Sequence, residues 1–192
     1  MRNILLCGVG GQGTVLASKI LAKSAMERGE LVHTAETIGM AQRGGSVVSH
    51  VRIGEGCHAP LISRGQADVL LAFEAAEAVR NLSYLKENGT VVVSTTAVKP
   101  VTDALSKTDY DVQVMLEYLA RQNIRLIVVD GDALVEKCGS AKVLNIALLG
   151  AAAKADVIGM GTEDIRHIIE TTLAPKFQAM NLKALEMGAA SV

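Results

Sequence analysis

The chain has 192 residues, 49% of them hydrophobic, a formal net charge of −1 and no tryptophan. That is about one domain's length, with enough apolar residues for a sizeable core. It has neither the basic block nor the aromatic residues that nucleic-acid binding draws on. No apolar run approaches the ~20 residues of a membrane span, and the N-terminus opens as a strand rather than a basic-apolar leader. A cytoplasmic protein without nucleic-acid or membrane partners is the expectation.

In chain order, Ile4-Leu5-Leu6-Cys7 reads as a first strand and Thr14 to Arg28 as an amphipathic helix. Between them lies Gly8-Val9-Gly10-Gly11-Gln12-Gly13. Strand, glycine loop and helix in that order make a candidate site. Gly8 and Gly10 suit a sharp turn and close approach to the main chain. Gly13 suits tight packing of helix on strand. The unpaired N–H groups at the helix start favour an anion or a carbonyl oxygen. Gly29 caps the helix and Glu30 to Ala35 is the second strand. Glu36 follows, near the place, about twenty residues on, where a dinucleotide fold puts its ribose-binding carboxylate.

Thr37 to Gly45 then breaks the pattern, because a second crossover helix is missing. A short segment ending in Gly44-Gly45 feeds the alternating strand Ser46 to Ile53. Its Ser46, Val48, His50 and Arg52 share one face, expected to line solvent or an interface. Gly54-Glu55-Gly56 turns the chain back, so this region reads as a hairpin insertion.

Regular alternation resumes with strand Ala67 to Phe73 and helix Glu74 to Leu85. Ala75, Ala78, Val79 and Leu82 form the helix's core stripe, with Glu74 and Glu77 in its first turn. Asn88-Gly89 turns into strand Thr90 to Ser94, Val98 to Tyr110 reads as a polar surface loop, Asp111 to Gln122 as a helix and Ile124 to Val129 as the last strand. The remainder is helical: Asp132 to Lys137, a small-residue helix from Ala141 to Lys154, a helix capped by Thr162, and a last one from Pro175 to about Met187. Phe177, Met180, Ala184 and Met187 mark the buried face of that last helix. Without a repeat or a linker, residues 1–192 are expected to form one domain. The fold class is α/β, three-layer and Rossmann-like, with a mostly parallel sheet.

Cys7, Cys57 and Cys138 form no C-x-x-C pair, which excludes a self-contained cluster site of the Cys-rich kind. His33, His50, His58 and His167 show no metal-ligand spacing on one helix. Metal ligands and a nucleophile–base pair are therefore not expected, and no catalytic residue is assigned.

The glycine hexapeptide, Gly39-Met40-Ala41-Gln42-Arg43-Gly44-Gly45 running on through Ser46 to Gly54, then Pro60-Leu61-Ile62 and Ala67 to Glu74 together resemble the gamma-type domain of 2-oxoacid:ferredoxin oxidoreductases. The Met-Ala-Gln-Arg-Gly-Gly form is most similar to the beta subunit of the indolepyruvate-type enzymes. The likeness extends through Asn145, Leu149-Gly150, Asn181, Ala184 and Gly188, so it spans nearly the whole chain.

The resemblance implies an accessory subunit, inactive alone. A large partner would carry thiamine diphosphate with Mg2+ and iron–sulfur clusters, decarboxylate a 2-oxoacid, pass electrons to ferredoxin and yield an acyl-CoA. This chain would bind none of the metals. Its ligand- or partner-contacting residues would be Gly8, Gly10, Gly11, Gln12 and Gly13, with Met40, Gln42, Arg43, Gly44 and Gly45 of the second loop. The loop N–H groups and Gln12 suit an anionic group, a CoA phosphate or a partner carboxylate, and Arg43 suits a carboxylate or phosphate through its planar fork. Two other readings of the glycine loop stand beside this one: a stand-alone NAD(P)-dependent dehydrogenase using Glu36, and a nucleotide-sensing module.

Overall fold

The computed structural model describes residues 1–37, 39–56, 58–98 and 110–192. Among them are six strands in one sheet, in the order β2-β3-β1-β4-β5-β6. These are β1 (Arg2–Val9), β2 (Val32–Glu36), β3 (Ser46–Ile53), β4 (Ala67–Ala72), β5 (Leu85–Ser94) and β6 (Arg125–Val129). β1, β4, β5 and β6 run parallel to one another. β3 runs against both β1 and β2, so it alone is reversed.

The expected α/β class with a mostly parallel sheet is what forms. A hairpin forms too, but ahead of the Gly54-Glu55-Gly56 turn where it is expected: β2 and β3 pair from Val32↔Ile53 to Glu36↔Ser49, and the next strand among the described residues is the parallel β4. β3 then takes the place beside β1 that a simple crossover would have given to β2. Its burial alternates strictly, with Val47, Ser49, Val51 and Ile53 inward. The other face, expected to line solvent or an interface, is half-buried by the chain itself. His50 Nδ1 accepts the Ile62 N–H at 3.2 Å, and Arg52 donates to the carbonyl oxygen of Ala59 at 2.8 Å.

Helices cover both faces. α1 (Thr14–Glu27), α5 (Leu144–Lys154), α6 (Thr162–Thr172) and α7 (Pro175–Ala189) enclose the larger core, with α4 (Gly131–Cys138) at its margin. On the opposite face, α2 (Ala75–Asn81) and α3 (Val112–Ala120) pack over Leu5, Cys7, Leu70 and Val91. Ile4, Leu5, Leu6 and Cys7 lie between the two layers at 0% exposure, which is why a short, wholly apolar run makes the central strand. α5 is buried on all sides from Leu144 to Ala153, as its small-residue composition allows. No helix among the described residues is long and apolar enough to cross a membrane.

Several local expectations are corrected. The helix expected over Glu74 to Leu85 ends at Asn81 and continues only as a 3-10 turn, Leu82–Tyr84. β5 starts at Leu85 rather than Thr90, because Leu85 pairs with Ala67 across a wide bulge that holds Asn88 at φ 57°. α6 is capped at Gly161, whose N–H donates to Asp164 at 2.8 Å, so Thr162 is the first helical residue. The buried face of α7 includes Ala184 as expected, with Met180 and Met187 partly buried against the core, but adds Asn181, Leu185 and Gly188, while Phe177 is exposed. The expected loop 98–110 and Cys57 lie almost wholly outside the described residues.

Candidate functional site

β1, β4 and β5 deliver their C-terminal ends to one rim of the sheet, where the connections leave in opposite directions across the sheet. Ligands of open α/β sheets bind at such a point. The glycine loop sits on this rim, but its turn is made later than the sequence suggests. Gly8 lies inside β1 opposite Val47, while Gly11 (φ 106°) and Gly13 (φ 85°) adopt the left-handed conformations.

What comes close to the loop is the chain itself. The Gly10 N–H donates to the Gly45 carbonyl at 2.8 Å. A Cβ on Gly10 would lie 2.4 Å from the Ala41 carbonyl oxygen. Gln12 is also engaged internally: its Oε1 accepts the Val9 N–H at 2.7 Å and its Nε2 donates to the Phe73 carbonyl at 3.0 Å. Gln12 thus ties the end of β1 to the end of β4. Gly11 makes no hydrogen bond to any described residue. The space left under the loop is about 180 Å³, between Gly11, Gly13, Thr37 and Gln42. That is below the 300 Å³ or so at which small-molecule sites begin.

The turn filling this place is Met40–Gln42, a 3-10 turn followed by Arg43, Gly44 and Gly45. Gln42 Nε2 reaches back to the Thr37 carbonyl at 3.2 Å. Met40 is 77% exposed. Arg43 is exposed too, and its guanidinium has no hydrogen-bond or ion-pair partner among the described residues. The structure therefore brings the two predicted loops together, with the glycine loop as the floor and the Arg43 turn as the outward surface. Glu36 is elsewhere engaged, accepting the Ser18 hydroxyl at 2.8 Å.

A second group, beside the Arg43 turn, reads in the sequence only as acids in a first helical turn. Glu74 and Glu77 are 1% and 4% exposed and line a cavity of about 370 Å³ with Gly45, Ser46, Arg80 and Tyr110. Glu74 caps α2 by accepting the Glu77 N–H at 3.0 Å, and its other oxygen accepts the Tyr110 hydroxyl. Glu77 accepts the Ser46 hydroxyl at 2.6 Å and pairs with Arg80 at 3.1 Å.

Burial pushes the Glu74 carboxyl up to about 7, the backbone N–H groups of Glu77 and Ala76 hold it down, and the Glu77 charge raises it again. Burial first, then Glu77 and Glu74, push the Cys7 thiol well up, so Cys7 stays protonated core. The sequence signal that could have found this pair is position. Glu74 directly follows a buried parallel strand at the switch point, and Glu is not a usual N-cap.

Among the described residues no three His, Cys, Asp or Glu side chains are grouped so as to hold a metal ion. His50 stands edge-on to Tyr84, and burial followed by the Arg52 charge lowers its pKa.

A family model for pyruvate ferredoxin/flavodoxin oxidoreductase matches residues 3–191. The chain belongs to this family. It is 40% identical to indolepyruvate oxidoreductase subunit IorB of Archaeoglobus fulgidus, over 97% of this chain and 92% of that one. It is 30% identical to the common subunit gamma of the pyruvate/ketoisovalerate oxidoreductases of Pyrococcus abyssi, over 96% and 93%. Its fold superposes with a TM-score of 0.74, at 18% identity, on 2-oxoglutarate:ferredoxin oxidoreductase from Magnetococcus marinus, solved with 2-oxoglutarate, coenzyme A and succinyl-CoA bound. That match covers 98% of this chain and 30% of the larger one.

Both sequence relatives in this oxidoreductase family are subunits, so further subunits are implied for this chain. The stand-alone dehydrogenase and the nucleotide sensor find no support. In this chain β3 stands beside β1 and the Arg43 turn closes over Gly10, in the stretch of sequence where a dinucleotide fold has its second crossover.

Proposed function

We propose that the chain is the accessory subunit of a cytoplasmic, thiamine-diphosphate-dependent 2-oxoacid:ferredoxin oxidoreductase acting on indolepyruvate and related aryl pyruvates. The observation that carries this reading is the 40% identity to an IorB subunit over nearly the full length of both chains. The large partner subunit holds thiamine diphosphate, Mg2+ and the iron–sulfur clusters. With them it carries out decarboxylation and electron transfer to ferredoxin, and the acyl group leaves as an acyl-CoA.

This chain contributes a surface. The Arg43 turn faces the partner, with Met40 as its apolar contact and the guanidinium as its charge. Gly8, Gly10, Gln12 and Gly13 support that turn from beneath, and Gln42, Gly44 and Gly45 shape it. Arg43 and the Gly11 N–H are the groups suited to a partner carboxylate or a CoA phosphate, since neither is engaged by a described residue of the chain.

The test is co-expression with the large subunit and anaerobic size-exclusion chromatography, followed by ferredoxin reduction with indolepyruvate, pyruvate and 2-oxoglutarate. Co-elution and fastest turnover of indolepyruvate are expected. Separate elution would overturn the subunit reading, and faster turnover of pyruvate would overturn the aryl assignment.

A further inference from the structure

We propose that Glu77 is a positioning residue for Arg43, acting through Ser46. The inference rests on the reading of Arg43 given above. Gly44 has a φ of 89° and open space around its Cβ position, so the Arg43 turn has a glycine hinge at its end. No hydrogen bond or ion pair from the Arg43 side chain to a described residue anchors the turn, which is held by its own backbone bonds, Arg43 N–H to the Met40 carbonyl and Gly45 N–H to the Ala41 carbonyl, and by its ends. On one side the Gly10 N–H holds the Gly45 carbonyl, and Gln42 holds Thr37.

On the other side Ser46, the first residue of β3, donates its hydroxyl at 2.6 Å to Glu77. Such a short contact to a carboxylate is a charge-assisted hydrogen bond. Among the described residues it is also the side-chain bond that joins this end of the turn to the helix layer behind it. Glu77 is held in turn by Arg80 at 3.1 Å, and α2 fixes it through its carbonyl, which accepts from Asn81 at 2.9 Å and from Cys7 at 3.4 Å. Glu77, with its nearly buried carboxylate held by Ser46 and Arg80 and its carbonyl by Asn81 and Cys7, is a rigid post. Ser46 is itself exposed and stands opposite Val9 in the sheet, so its hydroxyl links the surface end of the turn to a buried carboxylate. The tether sets where the hinge ends, and so where the guanidinium points.

Two measurements test this. In the free subunit, trypsin cleavage after Arg43 reports how often the turn opens. Ser46→Ala should speed that cut several-fold, while Ser46→Thr, which keeps the hydroxyl, should leave it near the wild-type rate. In the assembled enzyme, Ser46→Ala should lower turnover about fivefold, roughly the loss of one hydrogen bond. The same change made on Arg43→Ala should have no further effect, because positioning is lost with the group positioned.

A wild-type cutting rate in Ser46→Ala would overturn the tether. An undiminished loss in the Arg43→Ala background would overturn positioning and leave Ser46 merely structural. If Arg43→Ala is itself silent, the reading of Arg43 falls and positioning falls with it, whatever the cutting rates.

Discussion

Gly13 and Asn145 are fitted to one another across 132 positions of sequence. Asn145 Nδ2 donates to the Gly13 carbonyl at 3.1 Å and lies 2.5 Å from where a Cβ on Gly13 would stand. Gly13 is the N-cap of α1 at φ 85°, and Asn145 is buried at the start of α5. The glycine that looks like a ligand-binding feature is thus a joint between two helices. Gly13→Ala should cost about 2–4 kcal/mol, adding left-handed backbone strain to overpacking. Gly11→Ala has the strain alone, since nothing stands within 4 Å of its Cβ position, and should cost less. Urea unfolding of both variants checks the order.

The crossing of α5 and α7 reverses an ordinary propensity. A Cβ on Gly150 would lie 2.1 Å from the Leu185 carbonyl oxygen, and one on Gly188 would lie 1.8 Å from that of Ala147. Replacing a helical glycine by alanine usually stabilises, by about 1 kcal/mol at an interior position such as Gly150. Here each substitution must push the helix backbones apart and should destabilise by about 1–3 kcal/mol or more. A denaturant midpoint above wild type for either variant would contradict the packing described.

Much of this fold is legible in the sequence because its signals are local. Ile4 to Cys7 is a short apolar run with a glycine loop behind it, and Ser46 to Ile53 alternates at period two. The pairing of β3 with both β1 and β2 is not legible, because a strand's period says which face is buried and nothing about its neighbours. Leu85 to Gly89 does not read as strand because Asn88-Gly89 carries a turn signal, and only the bulge opposite Ala67 reconciles the two. At the site, the Arg43 turn can be singled out by its glycines. Glu74 and Glu77 are marked only by their place directly after a buried strand, since two acids in a first helical turn look the same whether they face water or a cavity.

The Glu74 carboxyl predicts a pH dependence of definite sign. Its folded pKa, about 7, lies above its ordinary 4.5, so the folded chain holds a proton that the unfolded chain releases. Its contribution to stability is complete below pH 4.5 and is lost as pH rises through about 7, with a slope of at most about 1.4 kcal/mol per pH unit. Glu74→Gln keeps an acceptor for the Glu77 N–H and cannot ionise. Comparing the melting temperatures of the two proteins from pH 4.5 to 8 should show the variant gaining on the wild type as pH rises. Parallel curves would mean Glu74 titrates normally.

The Arg43 charge meets no partner among the described residues of this chain. Arg43→Ala should change the free subunit's stability by no more than about 0.5 kcal/mol, as for a surface residue. In the assembled enzyme it should remove a charge-assisted contact of about 2–5 kcal/mol. Even the low end is more than tenfold in rate or affinity. Arg43→Lys should recover only a fraction of this, since an ammonium lacks the planar two-pronged donor. The most direct measurement is indolepyruvate-dependent reduction of ferredoxin by the large subunit reconstituted with wild-type, Arg43→Ala and Arg43→Lys chains, beside the melting temperature of each free chain. A tenfold or greater loss with alanine, a partial loss with lysine and unchanged melting are expected. Full turnover with alanine, or a collapse of the free chain's melting temperature, would contradict the partner-facing role of Arg43.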